Sequence, residues 1–245
     1  MSLVVFSDVD GTLLDRDTYS WEAARPAVER LRQRRIPLVL CTSKTRVEVE
    51  HLRRELGIAD PFIVENGSAI VFDDGGLTEL GLPYSEIRER LVRTGLSFSG
   101  YGDLSLEEIC RLTGLDPEAA RRAARREYSE TLFRWQEGLE TALAAQGLFG
   151  VQGTRFFTVT GQGADKGRAV RLLLAKLRED DAGLRSIGLG DSPNDAPMLA
   201  EVDVPVLVQR PGGVWAEIDL PGLRRVEGVG PVGVLEAVLG GVVLS

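Results

Sequence analysis

Two aspartates lie two positions apart near the start of the chain, in the string FSDVDGTLLD. Asp8 and Asp10 directly follow an apolar run, residues 3–7, that predicts a buried strand. Side chains two positions apart on an extended chain point to the same side, so both carboxylates converge where the strand ends. Such a pair needs a cation, and Mg²⁺ is bound by a few carboxylates together with water and phosphate oxygens. Because a carboxylate can also attack phosphorus and form an aspartyl-phosphate, the pair predicts metal-dependent phosphoryl transfer; the alternative is an ordinary acidic loop.

The strings LVLCTSKT and GADKGRAV add groups that suit a phosphate. The first offers the hydroxyl of Thr42 or Ser43 to a phosphate oxygen, with Lys44 as a nearby cation. For Ser43, the alternative is the N-cap of a helix that begins near residue 45. The second string places Lys166 at the start of a predicted helix, where a phosphate gains from both the lysine and the helix N-terminus.

A fourth string, GLGDSPNDAPML, follows another predicted strand and enters a helix. Asp191, Asn194 and Asp195 bring three oxygen-bearing side chains into one turn, which suits a hard cation. Capping of the helix by Ser192 or Asp195 is the alternative, and capping is compatible with metal binding. The string therefore predicts a further part of the metal site.

The elements that position these strings alternate between strand and helix. The order strand, helix, strand, helix, strand predicts an α/β fold with a doubly wound parallel sheet, in which ligands bind at the carboxyl edge. Helices and neighbouring strands from residue 83 to about residue 163 predict an inserted α+β cap domain. The expected division is residues 1–82 and 164–245 for the core and residues 83–163 for the cap. The predicted helices are 21–35, 45–56, 85–93, 105–113, 117–126, 138–146, 166–178 and 196–200, and the predicted strands are 3–7, 36–41, 61–65, 69–72, 131–135, 148–152, 155–160, 186–189 and 204–208.

Together the four strings resemble the motifs of the haloacid dehalogenase-like superfamily, whose first motif has the form DxDGT. The resemblance implies that Asp8 is the nucleophile and Asp10 the general acid and base. Since the dehalogenase branch lacks the second aspartate, Asp10 points to phosphoryl transfer. The resemblance also implies a Rossmann-like core with a type 2 cap, and a Mg²⁺ cofactor with Asp8, Asp10 and Asp191 as its ligands.

The other motif residues take their roles from the same resemblance. Thr42 corresponds to the hydroxyl of the second motif and Lys166 to the lysine of the third. Asp191 would coordinate Mg²⁺, with Asn194 and Asp195 supporting the metal and its loop.

Longer strings, among them PFIVENGSAI, GTRFFTVTG and VLVQRP, are similar to those of mannosyl-3-phosphoglycerate phosphatases. This resemblance implies hydrolysis of mannosyl-3-phosphoglycerate to mannosylglycerate, a compatible solute. A substrate with a phosphate, a carboxylate and a hexose calls for cations and hydrogen-bonding groups. The candidate substrate-binding residues are Ser43, Lys44, Asn66, Gly67, Arg155, Gln162, Asp165 and Arg168. For Asn66 and Gly67 the alternative to substrate binding is a simple turn, and for Arg155 it is a surface charge.

Composition narrows the class of protein. The net charge of -8 and the pI near 4.9 argue against a nucleic-acid partner, which needs a concentrated basic surface. The single histidine disfavours histidine-based phosphatase chemistry. The absence of a signal sequence and of a long apolar run predicts a cytoplasmic enzyme without a membrane segment. Oligomeric state is not predicted. A broader sugar-phosphate phosphatase and, less favoured, a phosphomutase remain as alternatives.

Overall fold

The computed structural model describes residues 2–153 and 156–243. Its strands form two separate sheets, one of eight strands and one of four. The strands are β1 (Leu3–Ser7), β2 (Leu38–Cys41), β3 (Phe62–Val64), β4 (Ala69–Val71), β5 (Leu77–Glu79), β6 (Phe98–Gly100), β7 (Ser129–Trp135), β8 (Leu148–Gln152), β9 (Phe157–Gly161), β10 (Arg185–Gly190), β11 (Val204–Gln209) and β12 (Arg224–Val229).

The helices lie between these strands and pack on both sheets. The α-helices are α1 (Arg25–Gln33), α2 (Arg46–Leu56), α3 (Tyr84–Arg93), α4 (Leu106–Thr113), α5 (Pro117–Ala123), α6 (Leu139–Ala145), α7 (Lys166–Asp180), α8 (Ala196–Ala200) and α9 (Pro231–Leu239). Among the described residues, none of the helices is long and apolar enough to cross a membrane.

The larger sheet has the strand order β12-β11-β10-β1-β2-β3-β4-β5. All pairs from β12 to β3 are parallel, and β4 and β5 join as antiparallel strands at one edge. Val5 of the central strand lies opposite Leu38 on one side and Ile187 on the other. Because parallel strands need crossover connections, this order brings the ends of β10, β1, β2 and β3 to one edge of the sheet.

Helices cover both faces of this sheet, which explains its apolar strands. Val5 packs in a buried cluster with Val28 of α1 and Val49 of α2, whereas Phe6 packs in a second cluster with Val170 and Leu173 of α7. Alternate residues of β1 thus enter opposite cores, as the two-residue repeat of a strand requires. The predicted fold class, a doubly wound α/β sheet with an α+β addition, is confirmed.

The smaller sheet is antiparallel, with the order β6-β7-β9-β8. Helices α3 and α6 pack against it through Ile87, Leu91, Leu139 and Leu143. Helices α4 and α5 form a further small cluster with Tyr101. This sheet lies within the predicted cap, while the boundaries at residues 82 and 163 remain a prediction.

Several elements differ from the sequence expectations. The helix predicted at residues 21–35 begins as a 3₁₀ turn, Glu22–Ala24, before α1. The helix predicted at residues 117–126 ends at Ala123, which leaves Arg126 in the segment that leads into β7. The first residue of the strand predicted at residues 155–160 lies outside the described residues, and β9 begins at Phe157. Strands β5, β6 and β12 were not predicted, because short or charged edge strands lack a clear apolar pattern. Helix α9 was not predicted either.

Candidate active site

The motif residues meet at the carboxyl edge of the parallel strands. Asp8 follows β1, Ser43 and Lys44 follow β2, and Asp191 follows β10. The backbone N–H of Asp8 donates to the carbonyl of Leu189 at 2.9 Å, which fixes the end of β1 against β10. The fold therefore places the motif residues side by side although they lie far apart in the sequence.

Lys166 connects two of the aspartates. Its Nζ lies 2.6 Å from Oδ1 of Asp8 and 2.7 Å from Oδ1 of Asp195, and its side chain is only 2% exposed. It is the first residue of α7, whose N-cap, Asp165, accepts a hydrogen bond from the N–H of Arg168 at 2.7 Å. The negative charges of Asp195 and Asp8 outweigh the effect of burial and hold the pKa of Lys166 above its ordinary value. The ammonium group is thus charged and held beside Asp8.

The aspartates at this edge carry more negative charge than Lys166 neutralises. Burial, assisted by the charge of Asp195, raises the pKa of Asp8 well above its ordinary value even though Lys166 lowers it. Burial and Asp195 likewise raise the pKa of Asp191 to about 6, against the opposing effect of Arg210. A bound cation would offset the repulsion between these buried carboxylates and favour the ionised form of both Asp8 and Asp191.

The donor set fits a divalent cation. Oxygen atoms of Asp8, Asp191 and Asp195 lie within 4.8 Å of one another, and all three residues are buried. Oδ2 of Asp195 already accepts hydrogen bonds from the N–H groups of Asp191 and Ser192 and from the Ser192 hydroxyl. With its Oδ1 engaged by Lys166, Asp195 fixes the turn, so Asp8 and Asp191 are the carboxylates best placed to bind a hard cation.

Asp10 is more exposed than Asp8 and has a different partner. Its Oδ1 lies 3.0 Å from Nζ of Lys44, and its side chain is 34% exposed against 9% for Asp8. It is not a member of the three-aspartate cluster, so its predicted role as a metal ligand remains a prediction. Lys44 also lies 3.6 Å from Glu48, and these two acids hold the pKa of Lys44 above its ordinary value despite burial.

The two candidate hydroxyl groups after β2 lie in different environments. Thr42 is fully buried, and its Oγ1 accepts the N–H of Lys44 at 3.2 Å. Ser43 lines the cavity described below. The N-cap of α2 is Thr45, which forms a capping box with Glu48, so the suggestion that Ser43 caps this helix was wrong.

The predicted turn at Asn66 and Gly67 packs against the start of α7. Glu65, Asn66 and Gly67 all have positive φ, at 47°, 59° and 87°. Oδ1 of Asn66 accepts a hydrogen bond from Nδ2 of Asn194 at 3.1 Å, which joins this turn to the aspartate turn. A Cβ atom on Gly67 would lie 2.0 Å from the carbonyl oxygen of Asp165, so only glycine fits there.

A cavity of about 430 Å³ opens above these residues. Six of the predicted site residues line it, together with further residues that the sequence did not single out, four of which are considered below. The six are Asp8, Asp10, Ser43, Lys44, Asn66 and Asn194, and the four are Arg16, Tyr19, Arg126 and Arg210. Thr131 of β7 and Thr158 of β9 also line the cavity, so the smaller sheet forms part of its wall.

Some predicted site residues lie elsewhere. Gln162 is exposed, Asp165 caps α7, and Arg168 donates to the carbonyl of Gly163 at 3.0 Å; none of the three is among the residues that line the cavity. Arg155 lies outside the described residues. Of Arg16, Tyr19, Arg126 and Arg210, only Arg210 had a signal in the sequence, because it lies in the string VLVQRP.

Comparison with known proteins agrees with this geometry. The family described as haloacid dehalogenase-like hydrolase matches residues 5–92. A solved haloacid dehalogenase-like hydrolase from Bacillus subtilis superposes with a TM-score of 0.65 at 18% identity, covering 97% of this chain and 99% of its own. The chain belongs to the haloacid dehalogenase-like hydrolases. Hydrolases of this family generally use a divalent metal, and the buried aspartates can hold one.

Within that family, curated relatives match nearly the whole chain. The glucosyl-3-phosphoglycerate/mannosyl-3-phosphoglycerate phosphatase of Methanococcoides burtonii is 42% identical, over 98% of this chain and 97% of its own length. The mannosyl-3-phosphoglycerate phosphatase of Pyrococcus horikoshii is 38% identical, over 85% of this chain and 91% of its own length. The similarity thus extends through both sheets.

Proposed function

We propose that this chain is a Mg²⁺-dependent phosphatase that hydrolyses mannosyl-3-phosphoglycerate to mannosylglycerate and phosphate. The observation that carries the proposal is similarity along almost the entire chain to phosphatases named for this substrate. The buried arrangement of Asp8, Lys166 and Asp191 supports the same reaction class, because it combines a carboxylate nucleophile, a cation and a metal-binding acid.

In the proposed reaction, Asp8 attacks phosphorus and the leaving alkoxide departs in line. Lys166 keeps the carboxylate of Asp8 oriented and stays beside the transferring phosphoryl group. Asp10 gives a proton to the leaving oxygen and then takes one from the water that hydrolyses the aspartyl-phosphate. Its greater exposure suits this role, because the acid must reach both the leaving group and water.

Asp8, Asp10 and Asp191 would hold Mg²⁺, with Asn194 and Asp195 fixing the loop; when bound, the ion would supply positive charge opposite the phosphoryl group. Such positioning and charge stabilisation dominate the catalysis of phosphoryl transfer. The raised pKa of Asp8 and of Asp191, caused first by burial and then by the charge of Asp195, supports this assignment, because a bound cation would favour the ionised carboxylates.

Substrate contacts are proposed from the residues that line the cavity. The hydroxyl of Thr42 or Ser43 would bind a phosphate oxygen, and cavity position favours Ser43. Lys44 and Asn66 also line the cavity and would contact the substrate. Contacts from the other candidates, Gly67, Arg155, Gln162, Asp165 and Arg168, stay predictions. We also propose that residues 83–163 form a cap that closes over the core and excludes water, as the shared cavity wall suggests.

The test is phosphate release from mannosyl-3-phosphoglycerate beside a panel of sugar phosphates and 3-phosphoglycerate, with Mg²⁺ and with chelator. The proposal expects a strong, metal-dependent preference for the glycosylated phosphoglycerate. Activity spread evenly over simple sugar phosphates would instead identify a broad sugar-phosphate phosphatase. An isomerised sugar phosphate without free phosphate would identify a phosphomutase.

Glucosyl-3-phosphoglycerate is a second candidate substrate, because the Methanococcoides burtonii relative is named for both compounds. Both share the phosphate and the glycerate, and they differ only in the hexose. A direct comparison of kcat/KM for the two compounds would rank them.

A further inference from the structure

Arg126 lies where the smaller sheet meets the core. It follows α5, immediately precedes the segment into β7, and lines the cavity with a side chain that is only 7% exposed. Its Nη1 donates to the carbonyl of Ser43 at 3.0 Å and to Oγ of Ser129 at 2.9 Å. The guanidinium is therefore held between the segment that follows β2 and the start of β7.

Part of this guanidinium has no partner. The Nε of Arg126 is buried and makes no hydrogen bond within the described part of the chain. The paired acid, Glu65, comes no closer than 3.8 Å. The carboxylate of Glu65 is already occupied, because it accepts the N–H groups of Glu127 and Tyr128, at 2.8 and 3.1 Å, and the hydroxyl of Ser129. A buried donor without an acceptor is costly. Because Arg126 also lines the cavity, a ligand that supplies an acceptor to this guanidinium would be favoured there.

The guanidinium also keeps its charge. Burial lowers the pKa of Arg126, but the negative groups around it, chiefly Glu65, outweigh burial and hold that pKa above its ordinary value. A planar, charged donor with an unused N–H group is suited to a carboxylate, which it can bind through two parallel hydrogen bonds.

Three cations in or beside the cavity contact different motif residues. Lys166 pairs with Asp8, Lys44 pairs with Asp10, and Arg126 contacts Ser43, the residue before Lys44. In the proposed reaction Asp10 protonates the leaving oxygen, so the leaving group lies on the side of Lys44 and Arg126. Within the described residues, two other arginines have a buried Nε without a hydrogen-bond partner. Arg53 does not line the cavity, and Arg210 lies 3.8 Å from Asp191 and hence beside the metal-binding aspartates.

We propose that Arg126 binds the carboxylate of the glycerate leaving group and thereby selects phosphoglycerates over phosphate esters that lack a carboxylate. This inference rests on the proposed function. In a phosphoglycerate the carboxylate is attached by a short carbon chain to the ester oxygen, so it would lie on the side of the leaving group, where Lys44 and Arg126 line the cavity. Arg126 is a specificity residue in this account, because it does not touch the transferring phosphoryl group.

The experiment compares two substrates in three variants. The substrates are mannosyl-3-phosphoglycerate and the analogue in which the carboxylate is replaced by a hydroxymethyl group. Arg126→Gln should raise KM for the phosphoglycerate about 10- to 100-fold, the usual worth of a hydrogen-bonded charge pair, and leave kcat/KM for the analogue nearly unchanged. Arg126→Lys should recover part of the loss because it keeps the charge without the planar fork. The matched control is Arg125→Gln, since Arg125 is exposed and lies outside the cavity. This variant should leave KM and kcat/KM unchanged for both substrates.

Equal losses on both substrates would overturn the inference, because they would show that Arg126 only holds the Ser43 segment in place. A wild-type enzyme that does not distinguish the two substrates would overturn it as well. If Arg126→Gln fails to fold in a melting experiment, the comparison of Arg126→Lys with wild type gives the same test. Failure of the proposed function looks different: wild type would then hydrolyse other phosphate esters but release no phosphate from mannosyl-3-phosphoglycerate.

Discussion

Replacing Asp191 by asparagine should stabilise the protein in the absence of metal. Burial and the charge of Asp195 raise the pKa of Asp191 from 3.8 to about 6. An acid with a raised folded-state pKa binds more protons in the folded than in the unfolded state, so the free energy of unfolding falls as pH rises from about 4 to about 6 and stays low above that. At about 1.4 kcal/mol per unit, the ionised carboxylate costs on the order of 3 kcal/mol at neutral pH.

Asparagine removes this charge but weakens other contacts. The Thr12 hydroxyl donates to Oδ1 of Asp191 at 3.3 Å, and Arg210 lies 3.8 Å from its Oδ2. Allowing for these losses, we expect a net gain of about 1–2 kcal/mol, which corresponds to a rise in Tm of roughly 2–8 °C for a chain of this size.

The assay is thermal unfolding of wild type and variant in chelator and in Mg²⁺. Wild type should become more stable as the Mg²⁺ concentration rises, because a ligand that binds only the folded state stabilises it. Asp191→Asn should gain little, because it lacks one of the carboxylates that would bind the ion. In chelator, the difference between the two proteins should vanish as pH falls below about 4, because Asp191 is then protonated in both states. The matched control is Asp203→Asn, which should destabilise: hydrogen bonds from Ser186 and the charge of Arg178 outweigh burial and lower the pKa of Asp203. A less stable Asp191→Asn protein in chelator, or one that Mg²⁺ stabilises as much as wild type, would refute the reasoning.

Three further substitutions test other parts of the site. Asp8→Asn should lower kcat at least ~10³-fold, since it removes the nucleophile, and substantial residual turnover in a steady-state phosphate assay would exclude the assignment. Lys166→Met leaves Asp8 and Asp195 buried without their cation, so chemical denaturation should show a loss of about 3–5 kcal/mol at neutral pH. That loss should shrink in acid, where Asp8 is protonated; a pH-independent loss would contradict it. Gly67→Ala should destabilise the protein by more than ~1 kcal/mol and lower kcat/KM, because the added Cβ would meet the carbonyl of Asp165. The control is Gly75→Ala, which should have the smaller effect, because Gly75 has a similar φ of 83° but no atom lies near its added Cβ. Equal effects at the two glycines would exclude the close approach as the cause.

Local sequence predicted the core because its strands are continuous apolar runs followed at once by polar motif residues. The run before Asp8 and the run before Thr42 became β1 and β2 with nearly the predicted bounds, and parallel pairing then placed their ends together. Lys166 and Asp8 lie 158 positions apart, and the motifs assigned both to one phosphate site without predicting the direct contact between them. The rule that ligands bind at the carboxyl edge of such a sheet linked these distant strings.

The parts of the fold and the site that the sequence did not predict depend on tertiary contacts, which leave no local sequence pattern. Arg126 reads as one more arginine in a charged helical stretch, and only the end of α5 at Ala123 and the contact with Ser43 bring it to the cavity. Strand β12 has the sequence RRVEGV, which lacks an apolar face and forms a strand only because β11 offers an edge. The cap of α2 was misplaced by two residues because serine and threonine are both good N-caps, and the capping box with Glu48 selects Thr45.

Transfer of the phosphoryl group to Asp8 is the central claim, and rapid acid quench with mannosyl-3-phosphoglycerate labelled in its phosphate tests it most directly. With Mg²⁺ present, the label should appear transiently on the peptide that contains Asp8 and then be released as inorganic phosphate. Release of labelled phosphate without any labelled enzyme, label on a different residue, or no reaction with this substrate would contradict the account.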